Sequence, residues 1–342
     1  VVFQAVSTRA NLSRIFEMPW ALQFVPLLLL FQITVIMAKA HDSSNSAKFA
    51  NIDKTVSKSF GNTFQDDAPL LQTSNRRFKR IVGGYETPEA FYTSMIQIRF
   101  RDNSTKRMRH RCGGTLISPK FVLTAAHCLD ELDSDPTHYD IVAGDWDITK
   151  TEGTEQQIKI STFHVHPKYQ GNLLTSDDML ILELETSVTL SEFVTIANLP
   201  KSDLSYFNGR MCTILGWGAT KFDRSFDSNP GRLRAAQLPI YNMSRCLEIV
   251  DDKQQYESLQ FSICAGYPQG GIDACSGDSG GGLLCQENDG ITYLTGVHSL
   301  GSCGTDHSLG VYAKVADYIE WIEKIVSGKK TAVKKGKHPG GL

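Results

Sequence analysis

This chain lacks an excess of charge of either sign: 35 Lys and Arg face 37 Asp and Glu among 342 residues, a formal net charge of -2. Such a balance calls for no nucleic-acid partner. Any C-x-x-C pair is missing too, and the adjacent His127-Cys128 has no companion at zinc spacing, which argues against a zinc site. Long apolar runs are scarce, the one extended stretch lying within residues 18–40. Between residues 81 and 311 helical periodicity is nearly absent. What is present is a hydrophobic fraction of 41%, enough for a sizeable core, dealt out in short runs.

Those runs cover residues 95–100, 114–118, 121–126, 141–143, 157–160, 180–184, 211–215, 282–284, 293–297 and 311–315, with Gly, Pro, Asn and Asp clusters between them. Short strands at such spacing predict an all-β sandwich or barrel. One helix is expected at 315–326, where Val315, Tyr318, Ile319, Ile322, Ile325 and Val326 share a face.

Composition divides the chain. Residues 1–17 begin without methionine, show no clear periodicity and read as lying outside the natural product. Residues 18–40 close on Ala38-Lys39-Ala40 and read as a secretory signal peptide, with a retained membrane anchor as the competing reading. Residues 41–80 are polar, contain no cysteine and end in Arg76-Arg77-Phe78-Lys79-Arg80, the pattern of a pro-segment cut before Ile81. A folded domain follows over 81–327, then a basic tail over 328–342 that is expected to be disordered. All eight cysteines lie between Cys112 and Cys303; an even number behind a signal peptide implies disulfides and a secreted, extracellular protein. Eight cysteines allow 105 pairings, so sequence alone does not choose among them. Two sequons, at Asn103 and Asn242, are candidate glycosylation sites on that route.

The densest chemical signal is Asp273-Ala274-Cys275-Ser276-Gly277-Asp278-Ser279-Gly280-Gly281-Gly282. It reads as a nucleophile loop, because a serine hydroxyl needs a base to take its proton and donors to hold the oxyanion that forms. Glycines let the backbone turn tightly and aim the N–H groups of Gly277 and Ser279 at one point. His127 is the candidate base, pinned after a strand-like run and before Cys128. Asp178, at the lip of the apolar run 179–184, is the candidate partner that fixes its tautomer. His138, His164, His166 and His307 sit in polar settings and read as surface residues.

With these residues assembled, the chain resembles the trypsin-like (chymotrypsin-fold) serine endopeptidases from Ile81 to near Ser327. Four signatures carry the resemblance, in the family's order: Ile81-Val82-Gly83-Gly84, Leu123-Thr124-Ala125-Ala126-His127-Cys128, Asp178-Met179-Leu180-Ile181 and Gly277-Asp278-Ser279-Gly280-Gly281. The resemblance implies two packed antiparallel β-barrels with a C-terminal helix, and a catalytic His127, Asp178 and Ser279 with an oxyanion hole at Gly277 and Ser279. It implies the disulfides Cys112–Cys128, Cys212–Cys285, Cys246–Cys264 and Cys275–Cys303. It makes the protein a zymogen in which cleavage between Arg80 and Ile81, by a furin-like or trypsin-like protease, frees an α-amino group to pair with Asp278. Asp273 would lie on the floor of the specificity pocket, with Gly301 and Gly310 leaving its walls open, and would select Arg or Lys. Ala274, where many relatives carry a serine, favours Arg. Ser299 would support Asp178 and begin a strand that pairs with substrate.

Leu300, Leu309 and Gly282 depart from the family's usual residues and imply loop variation. No cofactor is required. The loop 145–155 resembles the calcium loop of some relatives, with Asp145 and Glu155 as ligands and Glu152 acting through water; a solvated acidic loop is the competing reading. Partners implied are protein or peptide substrates, an activating protease and protein inhibitors, with no obligate oligomer. The alternative function is a catalytically inactive homologue that binds a partner with the same barrels.

Overall fold

Short runs rich in apolar residues, several of them buried throughout, form the strands. The computed structural model describes residues 81–102, 104–129, 135–171, 177–201, 209–220, 231–257, 259 and 261–328. The expectations for residues 1–80, for Asn103 and for all of the tail but Gly328 lie outside them. All described residues fall within one compact unit, Asn75–Leu342.

The first barrel is built from β2 (Met95–Arg101), β3 (Met108–Ser118), β4 (Phe121–Thr124), β5 (Tyr139–Ala143), β6 (Gln156–Val165) and β7 (Leu180–Leu184). Its strands run in the order β2-β3-β4-β7-β6-β5 and close on themselves through the antiparallel pair β2–β5, with Ile98 opposite Ile141. Closure leaves no edge strand open to other chains. The fully buried side chains of Ile96, Leu116, Val122, Leu123, Ile141 and Ile181 fill it.

The second barrel uses β8 (Met211–Gly216), β9 (Arg234–Asn242), β10 (Ser262–Ala265), β11 (Gly282–Gln286), β12 (Thr292–Leu300) and β13 (Gly310–Lys314). The order β9-β10-β13-β12-β11-β8 is closed by β8–β9, and the short β1 (Tyr85–Glu86) adds to β9 with Tyr85 opposite Ala235. Ile214, Leu238, Ile240, Leu283 and Tyr312 are buried there together with Ile81. A further cluster joins first-barrel residues such as Leu123 and Ile181 to Trp217, Leu294 and Val297, so a continuous core runs across the two barrels.

Helix is confined to α1 (Met243–Ile249), α2 (Lys253–Glu257) and α3 (Ile319–Val326) among the described residues, besides short 3-10 turns. The expected terminal helix starts as a 3-10 turn over Val315–Tyr318 and continues as α3, burying Ile322. Asn242 is exposed and caps α1, its side chain accepting from the Arg245 N–H at 2.9 Å. The disulfides are Cys112–Cys128, Cys212–Cys285, Cys246–Cys264 and Cys275–Cys303.

Candidate active site

Strand β4 ends at Thr124, and Ala125 in an extended conformation turns the chain into a 3-10 turn over Ala126–Cys128 that presents His127. The Cys112–Cys128 disulfide ties this turn to β3. Asp178 stands just before β7, where Asp177 adopts φ +75° and lets the chain bend into the strand. The two side chains meet: His127 Nδ1 lies 2.7 Å from Asp178 Oδ2, and the His127 N–H donates to Asp178 Oδ1 at 2.9 Å. Ser299 Oγ donates to the same Oδ2 at 2.6 Å. Burial would push the Asp178 carboxyl up, but the hydrogen bonds from His127 and Ser299 hold it below the ordinary carboxylate value. A fixed, ionised carboxylate thus orients one imidazole.

Ser279 lies in the loop between the Cys275–Cys303 disulfide and β11. The Gly113 N–H of β3 donates to the Ser279 carbonyl at 2.8 Å. Gly280 has φ +73°, and a Cβ there would collide with Thr124 Oγ1 and stand 3.1 Å from the Ala125 nitrogen. Glycine therefore allows the serine loop to press against the end of β4, two residues from His127. Gly277, at φ +96°, has its carbonyl 2.8 Å from His110 Nε2. Burial pulls that histidine down to about 4, so it stays neutral at ordinary pH.

Asp278 points away into the interior. Its carboxylate accepts from the Gly218 N–H at 2.8 Å and the Cys275 N–H at 2.9 Å. Burial pushes it up to about 7 against the pull of those two bonds. Ile81, 1% exposed, belongs to the core of the same barrel, and Arg234 donates to the Gly84 carbonyl at 2.8 Å, anchoring the strand entry.

Asp273 is buried, and burial pushes it up to about 6 while bonds from Ser302 oppose. Its Oδ2 accepts from Ser302 N–H at 2.8 Å and Ser302 Oγ at 2.6 Å; its Oδ1 has no partner among the described residues. A Cβ on Gly310 would stand 2.8 Å from that oxygen. Ala274 is buried beside it. A Cβ on Gly301 would stand 2.9 Å from the Ala274 carbonyl and 3.0 Å from the His298 ring, so glycine is needed there as at Gly310. Ser299 is the next-to-last residue of β12 rather than the first of a strand, because β12 extends back to Thr292 to pair with β11 and β13.

Three carboxylates, Asp145, Glu152 and Glu155, offer oxygens within 4.8 Å of one another. Asp145 Oδ1 is buried without a partner among the described residues, while burial and the charges of Glu152 and Glu155 push its carboxyl up to about 7. Such a donor set fits a hard cation with oxygen ligands.

The four histidines expected at the surface divide. His166 is 9% exposed, edge-on to Tyr318 and Trp321, with Nδ1 3.2 Å from Asp177. His164 is half-buried beside Glu183 at 3.1 Å, whereas His307 is exposed. Sequence reasoning passed over Ser302, Tyr312 and His298; Ser302 and Tyr312 come close to Asp273 only through the fold, and His298, though next to Ser299 in the chain, shows its burial against Tyr312 only there. Among the described residues no helix is long and apolar enough to cross a membrane. Compared with known protein families, residues 81–322 match the family model described as Trypsin.

Proposed function

The chain belongs to the trypsin family, as a trypsin-like serine protease, and we propose that it is a zymogen-derived endopeptidase cutting after Arg, and less readily after Lys. The observation that carries this reading is the Asp178 carboxylate, which receives His127 and Ser299 within hydrogen-bond reach while the Ser279 loop packs against the strand that presents His127.

In the proposed mechanism His127 Nε2 takes the proton from Ser279 Oγ as that oxygen adds to the substrate carbonyl. The carbonyl π electrons move to oxygen, where the N–H groups of Gly277 and Ser279 hold the oxyanion; losing one such donor costs about 3–4 kcal/mol of barrier. His127 then gives its proton to the departing amine as the C–N bond breaks, leaving an acyl ester on Ser279. Water, deprotonated by the same imidazole, releases the acid and restores the serine. Asp178 stays ionised throughout and stabilises the imidazolium.

Asp273 supplies the selectivity. A buried carboxylate with one unpartnered oxygen favours a cationic side chain. Ala274 offers no hydroxyl to help solvate an ammonium, which leaves Arg ahead of Lys. Activation follows from Asp278: a buried carboxylate without a cation is costly, and the new α-ammonium of Ile81 would supply one. Calcium bound by Asp145 and Glu155, with Glu152 through water, would neutralise the acidic loop and take no part in the reaction.

A fluorophosphonate ester tests this directly, since it phosphonylates only an activated serine. The chain cut after Arg80 should label at Ser279, and the uncut chain and Ser279→Ala should not. Equal labelling of cut and uncut chains would remove the activation argument, and no labelling of either would remove the enzyme.

A further inference from the structure

Strand β12 carries His298 immediately before Ser299. Its main chain is fixed on the nucleophile loop: the His298 N–H donates to the Gly281 carbonyl at 2.9 Å, and its own carbonyl accepts from the Gly280 N–H at 2.8 Å. The residue is 4% exposed, yet among the described residues neither Nδ1 nor Nε2 has a hydrogen-bond partner. Its ring meets Tyr312 edge-on at 5.1 Å between centroids. A Cβ on Gly301 would stand 3.0 Å from Nε2 and 2.9 Å from the carbonyl of Ala274, the neighbour of Asp273.

The Tyr312 hydroxyl and Asp273 Oδ1 are also buried without a partner among the described residues. Both face Gly310, where a Cβ would lie 3.4 Å from the hydroxyl and 2.8 Å from the carboxylate oxygen. Orphaned buried polar atoms are rare because each costs free energy. Several on neighbouring side chains are unused acceptors and donors that a polar guest would satisfy.

The chemistry of that guest follows from the acceptors. A neutral imidazole has one accepting nitrogen, and burial pulls this one down to about 3, so it is neutral at working pH. The ionisable groups acting on it are His127 and Asp178, with Tyr312 against its ring. An ammonium concentrates its donors at one point, whereas a guanidinium spreads five N–H groups over a planar fork and reaches acceptors in two directions.

We propose that His298 is a specificity-determining residue: its free ring nitrogen accepts a hydrogen bond from the guanidinium of a substrate arginine whose other N–H groups reach Asp273 Oδ1, and this second acceptor separates Arg from Lys. The inference rests on the protease reading of the site, but its test does not need turnover. Benzamidine and benzylamine, an amidinium and an ammonium on the same ring, are titrated calorimetrically into the chain cut after Arg80. His298→Val should lower the ratio of amidine to amine affinity roughly tenfold, the size of one lost hydrogen bond to a charged group. His298→Gln, which keeps an accepting oxygen, should recover most of it.

An unchanged ratio, or tighter amidine binding in His298→Val, would overturn the proposal and make the ring a wall only. If the variants do not fold, the wild type decides: amidine must shift the His298 imidazole 15N resonances, and no shift overturns the proposal. Fluorophosphonate labelling in the same preparation separates the two ideas. Labelled Ser279 with an unchanged ratio removes only the role of His298, and unlabelled protein with the expected ratio removes only catalysis.

Discussion

Asp178 shows how a single side chain can be over-determined: it is 2% exposed and takes hydrogen bonds from His127 and Ser299. Removing one donor weakens its hold on the carboxylate without emptying the core. Ser299→Ala should therefore lower kcat/KM for an Arg peptide amide about tenfold, mostly in kcat, with a circular dichroism spectrum unchanged. Asp278 makes a second residue-scale case. Its folded-state value, up to about 7, lies above the unfolded one near 3.9, so the folded chain keeps a proton that the unfolded chain has released between about pH 4 and pH 7. Uncut protein should lose stability as pH rises through that window. Urea unfolding at about pH 5 and pH 7.5 should show a smaller loss in uncut Asp278→Asn, and in wild type once the Ile81 ammonium is freed. Identical slopes in all three would argue against the pairing. At this scale His127, Asp178 and Ser279 could be singled out because each sits in a short contiguous motif, and the structure brings the first two into contact. His166 was misread as exposed because its cover, Tyr318 and Trp321, comes from about 150 residues downstream and no local pattern records it.

At the scale of elements, strand existence was readable and strand ends were not. The run 180–184 matches β7 to the residue. Strand β6 extends five residues past its expected end, through Ser161 and Thr162, because pairing with β7 rather than hydrophobicity holds that part. Strand β9 was missed altogether: Pro239 interrupts it, and a proline in a run argues against a strand unless the ladder spares its nitrogen. The barrel does spare it, with Pro239 opposite Met211 and its carbonyl accepting from the Gly266 N–H at 3.1 Å. The contact between the serine loop and β4 gives a sharp prediction. Gly280→Ala should cost roughly 1–3 kcal/mol, from its left-handed φ and from overpacking, and should depress activity beyond that loss of stability. The urea midpoint and kcat/KM, measured together, separate those effects. The acidic loop offers another: saturating calcium should raise the melting temperature by several degrees, and Glu155→Gln should abolish the rise. Equal melting with calcium and with chelator would leave a solvated acidic loop.

Over the whole molecule, two barrels share a core, and the disulfides are the covalent links that decide what stays together. All eight cysteines lie between Cys112 and Cys303, so none can hold residues 1–80 once the Arg80–Ile81 bond is cut. A non-reducing gel of the cut protein should resolve two chains, and a single band that splits only on reduction would mean an intermolecular or rearranged disulfide. The double-barrel class was legible because spaced short strands and the four ordered signatures agree. Strand spacing alone left sandwich or barrel open, because the closing pairs β2–β5 and β8–β9 leave no mark in periodicity, and the signatures decided for barrels.

The central claim is that cleavage at Arg80 assembles an Arg-selective serine endopeptidase. Its most direct test is steady-state hydrolysis of matched Arg-, Lys- and Phe-ended peptide amides by the full chain, before and after that cut, with Ser279→Ala alongside. The account predicts that only the cut wild type turns over, with Arg faster than Lys and Phe spared. A cut chain that carries its four disulfides and hydrolyses nothing, or that takes Phe as readily as Arg, would contradict it.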